Sequence, residues 1–153
     1  MERVEPSEKL ILIVDDDEDV LEFMRFSIEN EGFKVKTARD GEEALKIVKK
    51  EKPDLVILDV MLPKKNAIEI ARELQTDEYR DIHVIAISGR YDEDYLKDMF
   101  YFEPNVKDIF VKPVKMPILI YKIHKILNTI PKDERIVEKK KKEFEERLKP
   151  KIE

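Results

Sequence analysis

Asp15, Asp16, Asp59, Ser88 and Lys112 are the side chains whose types and spacing can do chemistry together. Asp59 closes the run Leu55–Asp59 (LVILD), apolar enough for a strand buried on both faces. A second run, Leu10–Val14 (LILIV), is followed by Asp15, Asp16 and Asp17. Two buried strands that stop at aspartate imply one acidic pocket at the carboxyl edge of a parallel sheet, where open α/β sheets bind ligands. Like charges held about 4 Å apart cost roughly 4 kcal/mol at an effective dielectric near 20, so the cluster must raise a pKa or bind a cation. With oxygen donors only, the expected cation is Mg²⁺. Ser88 ends a further apolar run, Val84–Ser88 (VIAIS), and offers a hydroxyl; Lys112 comes after Asp108–Val111 and offers a positive charge. A nucleophilic carboxylate, a divalent ion, a hydroxyl and an ammonium are what a transferring phosphoryl group needs. An aspartate at a strand end is by itself more often a helix cap, and a lone Ser88 or Lys112 a turn or surface residue. Their joint placement after four strands favours a site.

Strand and helix signals alternate through the chain. After the first strand, Val20, Leu21, Met24 and Ile28 recur at helical spacing between Asp17 and Glu31, and Gly32 is a natural stop. Lys34–Ala38 alternates like a half-buried strand. Asp40 caps a helix to about Lys50 that turns Ala44, Leu45 and Val48 inward. Helices are expected again over Asn66–Thr76, Asp92–Phe102 and Met116–Thr129, separated by the strands VIAIS and Asp108–Val111. Five βα units predict a doubly wound α/β fold, a parallel sheet with helices on both faces.

The chain has 153 residues, 42% of them hydrophobic and 42% charged, which fits one domain with a real core under a heavily charged surface. Lysine and glutamate dominate and Gln75 is the sole glutamine, a pattern that leans towards a thermophilic source. Absence of cysteine excludes disulfides and thiolate metal sites. No apolar run approaches the roughly 20 residues that span a bilayer, and no signal segment precedes the first strand, so a cytoplasmic protein without membrane contact is expected. The net charge of −5 argues against direct nucleic-acid binding.

Residues 1–130 form the predicted domain and 131–153 a charged, helical extension with nine basic and seven acidic residues. Ile130, Val137 and Phe144 recur every seven residues with Leu148 beside them, but Asp133, Lys140 and Arg147 interrupt the seam. The favoured reading is a solvated helix that packs a few apolar residues on its own domain; the sharper one is a dimerising helix. His83 and His124 belong to no ligand pattern and read as structural or surface residues.

The segments ILIVDDDEDV (Ile11–Val20), TARDGEEAL (Thr37–Leu45), PDLVILDVMLP (Pro53–Pro63), VIAIS (Val84–Ser88) and FVKPV (Phe110–Val114) make residues 8–130 strongly resemble the receiver domain of two-component response regulators. The resemblance implies strand order 2-1-3-4-5, the flavodoxin-like arrangement. It makes Asp59 the phosphoacceptor, and Asp16, Asp59 and the backbone carbonyl of Met61 direct Mg²⁺ ligands, with Asp15 holding a metal-bound water. Lys112, before a cis Pro113, pairs with a phosphoryl oxygen. Ser88 moves towards the phosphoryl group, Gly89 leaves room for it, and Met61 and Arg90 tune its lifetime. A histidine kinase is the implied phosphodonor; the downstream protein target is unknown. The oligomeric state is open, with a homodimer through the C-terminal helix or the strand 4 to strand 5 face as one option.

Three departures carry expectations of their own. The loop MLPKKNAIEI lacks the glycines that the family usually places near Lys64 and Ala67, so a different turn is expected there. Ile109 stands where the family carries its switch aromatic, and alternation turns the adjacent Phe110 to the other face. Among Tyr91, Tyr95, Phe100, Tyr101 and Phe102, most are expected in the core, with Tyr101 off the buried stripe and a candidate contact. Two other functions fit the residues less well. A haloacid-dehalogenase-like phosphatase would use Asp15 as nucleophile and Asp17 as acid, but needs an acidic pair after Lys112. A phosphorylation-independent pseudo-receiver would not need the full residue set. An EF-hand loop starting at Asp15 fails at Val20 and Phe26.

Overall fold

The computed structural model describes residues 2–150. Residues 151–153 of the extension therefore lie outside the described residues. Five strands, β1 (Leu10–Val14), β2 (Lys34–Ala38), β3 (Leu55–Asp59), β4 (His83–Ser88) and β5 (Val106–Val111), form one parallel sheet in the order β2-β1-β3-β4-β5. The most apolar runs take the centre: every residue of β3 is buried, while the edge strand β2 alternates exposed and covered positions. The doubly wound α/β architecture with 2-1-3-4-5 order is the one the sequence implies.

Successive residues of each central strand point to opposite faces. Leu12, Val14, Val56, Leu58, Val84 and Ala86 meet α2 (Gly41–Glu51), α3 (Ala67–Glu73) and α4 (Glu93–Met99). Ile11, Ile13, Ile57, Ile85 and Ile87 meet α1 (Glu18–Asn30) and α5 (Met116–Leu127). Four helices begin at side chains that accept hydrogen bonds from the first turn: Asp17, Asp40, Asn66 and Asp92. These caps fix where each helix leaves the carboxyl edge of the sheet, and so frame the space above it.

Several elements depart from the spacing. Helix α3 ends at Glu73 and α4 at Met99, each after only seven residues, and β5 begins two residues early, at Val106. Because α4 stops short, Tyr101 and Phe102 fall outside its inward stripe. The expectation that most of the five aromatics lie in the core is corrected: Phe100 is buried and Tyr91 half-buried, but Tyr95, Tyr101 and Phe102 are exposed. His124, for which the sequence allows a structural or a surface role, is buried; Nδ1 lies 2.7 Å from Thr129 Oγ1 and Nε2 2.8 Å from Glu31 Oε1.

The extension forms α6 (Lys132–Leu148), a helix in which no residue is buried. The expected packing of apolar residues on the domain is corrected as well: Ile136, Val137, Phe144 and Leu148 are all exposed. Among the described residues the bonds that fasten it to the domain lie in the first turn: Lys132 N–H to Glu31 Oε1, Arg135 to the Glu31 carbonyl and to Glu5, and Arg3 to Glu134.

The loop after β3 turns without glycine. Lys64 itself takes a left-handed conformation (φ 71), with its ammonium 3.5 Å from Asp40 and 3.6 Å from Glu42. The glycine this contact needs lies on the facing helix: a Cβ on Gly41 would come 2.5 Å from the Lys65 carbonyl oxygen and 2.6 Å from Lys65 Cβ. Gly41→Ala is expected to destabilise the fold by about 1–3 kcal/mol, as overpacking against backbone does, read as a lower melting temperature. Unchanged melting would show that the loop yields freely.

Candidate functional site

The site grows from the carboxyl ends of four strands, β1, β3, β4 and β5. Asp15 comes directly after β1, its N–H bonded to the Ala38 carbonyl of β2, so the aspartate cannot turn away from the sheet edge. Its Oδ1 accepts the Asp17 N–H at 2.9 Å, which aims Oδ2 inward. Asp17 is committed elsewhere: it caps α1 by accepting from Asp19 and Val20. Asp16, between them, is exposed. Asp59 ends β3, where its Oδ1 accepts the Met61 N–H at 2.9 Å, and Met61 backbone therefore lies beside the cluster. Asp15 and Asp59 are almost wholly buried, at 3% and 7% exposure.

Lys112 arrives from the end of β5, before a cis bond to Pro113. Its backbone N–H bonds the Ser88 carbonyl, in the same ladder that joins β5 to β4. The ammonium donates to Asp59 Oδ2 at 2.7 Å and to Asp15 Oδ2 at 2.9 Å. Ser88 is fully buried, and its Oγ accepts the N–H groups of Arg90 and Tyr91, both at 3.1 Å. Lys112 carbons also lie 3.4 and 3.7 Å from where a Cβ on Gly89 would stand, so that glycine keeps the side of the site open.

Burial pushes the Asp59 carboxyl above its ordinary value and the charge of Asp15 adds to the rise, while the hydrogen bonds from Lys112 and Met61 oppose it. For Lys112 burial works against the ammonium, but the hydrogen bonds to Asp59 and Asp15 outweigh it and its pKa moves up. The cation is thus held charged while one of its acceptors is strained towards protonation.

Oxygen atoms of Asp15, Asp16 and Asp59 all lie within 4.8 Å of one another. Three carboxylates against one ammonium leave two negative charges when all are ionised. A hard divalent cation matches that balance and the all-oxygen donor set, so the residues fit Mg²⁺. Of the residues singled out from sequence, Asp15, Asp16, Asp59 and Lys112 meet here, with the Met61 backbone beside Asp59 and Ser88 at the end of the neighbouring strand β4. Sequence reasoning missed that Lys112 bridges both aspartates, since side-chain partners across strands leave no mark in spacing, and that Ser88 Oγ holds the backbone amides of Arg90 and Tyr91.

Residues 11–124 match the response regulator receiver domain family. Among curated relatives, the alkaline phosphatase synthesis transcriptional regulatory protein PhoP of Bacillus subtilis is 39% identical over 105 residues, covering 69% of this chain and 42% of that protein. The transcriptional regulatory protein AfsQ1 of Streptomyces coelicolor is 31% identical, covering 76% of this chain and 50% of its own length. The chain thus spans about half the length of the curated relatives it matches. Among solved structures, a response regulator receiver domain protein from Clostridium thermocellum superposes with TM-score 0.70 at 27% identity, covering 78% of this chain and 94% of that one. A CheY-like receiver domain protein from Methanospirillum hungatei gives 0.69 at 28% identity, covering 78% and 93%. With its sheet order, its strand-end residues and its matched family all in agreement, this chain belongs to the receiver domains of two-component response regulators.

Proposed function

We propose that Asp59 is the phosphoacceptor of this receiver and that a histidine kinase supplies the phosphoryl group. The observation that carries the reading is the Lys112 ammonium held between Asp59 Oδ2 and Asp15 Oδ2. A carboxylate already paired with a cation has the neutralising charge in place where a phosphoryl oxygen will arrive. An Asp59 oxygen attacks phosphorus in line, an O–P bond forms, and the bond to the donor's imidazole nitrogen breaks. Lys112 then holds a phosphoryl oxygen, and Ser88 donates its hydroxyl to another. Asp15, Asp16, Asp59 and the Met61 carbonyl are the groups that would hold Mg²⁺, which supplies neutralisation of the phosphoryl charge when bound.

The added charge shifts the balance between two conformations of the β4–β5 face and thereby changes partner binding. No described helix is long and apolar enough to cross a membrane, and we place the protein in the cytoplasm, its output a protein contact with an unidentified target. Phosphorylation and hydrolysis use the domain's own residues, so the receiver acts as a switch that catalyses its own modification. Residues 1–130 are the switching unit and the extension from residue 131 an appendage to it. A phosphatase with Asp15 as nucleophile and Asp17 as acid fits less well, because the Asp17 carboxylate is committed to the Asp19 and Val20 amides of α1. After Lys112 the chain runs through Pro113 into α5, with no acidic pair.

A small phosphodonor with Mg²⁺ is expected to add one phosphoryl group, seen by intact-mass spectrometry, and Asp59→Asn is expected to abolish it. An equal adduct on the variant would overturn the assignment. Stability gives a second check. Burial penalises the ionised form of Asp59, so its cost is absent at low pH and appears as pH rises through the raised pKa. In metal-free buffer at neutral pH, Asp59→Asn is therefore expected to melt above the parent. Added Mg²⁺ is expected to raise the parent's melting temperature, since it binds the folded state alone, and to do little for Asp59→Asn or Asp16→Asn. A parent insensitive to Mg²⁺ at millimolar concentration would remove the metal from the proposal.

A further inference from the structure

We propose that Tyr91, in the loop after β4, reads the position of Ser88 and passes it to α4 through its stack on Tyr95. This chain thereby replaces the aromatic that Ile109 does not provide on β5. The inference rests on the phosphoacceptor reading of Asp59 only for the signal that moves Ser88; the contacts that would carry the coupling stand without it.

A serine hydroxyl has one proton to give and two lone pairs to accept with. The Ser88 Oγ accepts from both Arg90 N–H and Tyr91 N–H, so it pins the two residues after Gly89. In this coupling the Ser88 hydroxyl turns towards a phosphoryl oxygen on Asp59, and its oxygen leaves the two amides. Unpartnered backbone amides beside a buried core are costly, so the 90–91 backbone must rearrange with it.

The Tyr91 ring is placed to transmit that change. It is half-buried and packs against the core on the α2–α4 side of the sheet, the side on which Ile109 also packs. Its ring stacks on Tyr95 with centroids 4.5 Å apart and planes 15° from parallel. Tyr95 belongs to the first turn of α4, where its amide is capped by Asp92 at 2.8 Å. The Arg90 guanidinium lies 5.7 Å from the Tyr91 ring centre, so both residues released by Ser88 share one aromatic assembly. Beside the ring, a hollow of about 140 Å³ is lined by Val60, Met61, Ile68, Met99 and Tyr91 itself. Val60 and Met61 come directly after Asp59, so the space into which the ring can move adjoins the phosphoryl site. On β5, Ile109 is aliphatic and can neither stack nor hydrogen-bond, and Phe110 packs on the α1–α5 side.

The outcome of movement at Ser88 is then a released Tyr95 and a loosened first turn of α4. Hydrogen exchange over residues 91–97 of the full chain tests this in two arms. Without any phosphodonor, Ser88→Ala removes the acceptor of both amides and is expected to speed exchange in this segment about tenfold. Exchange equal to the parent would overturn the proposal whether or not Asp59 takes phosphate. With a small phosphodonor and Mg²⁺, the parent is expected to show the same acceleration. Tyr91→Ala is expected to gain the phosphoryl group on Asp59, by mass, while the donor-dependent change in α4 is lost. Tyr91→Phe, which keeps the stack, is expected to restore it, and Ile109→Ala to leave it intact. A donor response that persists in Tyr91→Ala, or one that vanishes in Ile109→Ala, would instead place the coupling on β5. If the phosphoryl adduct fails to form at all, the Asp59 reading falls while the Ser88→Ala arm still decides the coupling.

Discussion

The fold's carboxyl edge depends on one ammonium shared between two buried carboxylates. Asp15 and Asp59 sit at the tips of adjacent central strands, where the sheet's own geometry forces them together. Without a counter-charge they would repel in a poorly solvated site. Lys112 resolves this from β5, two strands away from β3, so the electrostatics of the site require the whole sheet to be assembled. Loss of Lys112 is the strongly destabilising change, because it leaves two buried carboxylates without a counter-charge. Charge balance and fold are therefore bound at the same atoms. The cluster remains net negative after Lys112 is counted, which leaves a standing demand for a further cation.

That demand explains why the surrounding loops are so firmly specified. Each helix that starts at this edge from Asp17, Asp40, Asn66 or Asp92 is capped by a short polar side chain, and each cap uses a residue that is then not free for chemistry. Asp17 illustrates the division of labour: it shares the run of acids with Asp15 and Asp16, yet its oxygen serves two amides of α1. The β3–α3 loop is set by contact with α2, where Gly41 admits the Lys65 backbone and Lys64 turns left-handed against two acids.

Most of the architecture was legible because buried parallel strands must be continuously apolar, and LILIV, LVILD and VIAIS are. Their terminal residues then had to lie at one edge, which made Asp15, Asp59 and Ser88 neighbours on paper. Legibility failed where local patterns compete with tertiary endings. The aromatics after Asp92 look like a helical stripe, but α4 stops after Met99 and the spacing loses its meaning at Tyr101 and Phe102. In α6 the stripe Val137, Phe144 and Leu148 is real, but periodicity reports which residues share a side and not whether anything covers it. Long-range hydrogen bonds such as His124 to Glu31, 93 positions apart in the chain, have no local signature at all.

The root of α6 is bonded to Glu31, the residue that terminates α1, and the rest of that helix touches no core. Seventeen helical residues make a rod of about 25 Å. A cantilever fixed only at its base magnifies angle into distance: tilting it by roughly ten degrees sweeps the free tip by about 4 Å for that length. The domain thus carries a pointer whose far end is far more sensitive to small tilts of α1 than any point on the globular surface.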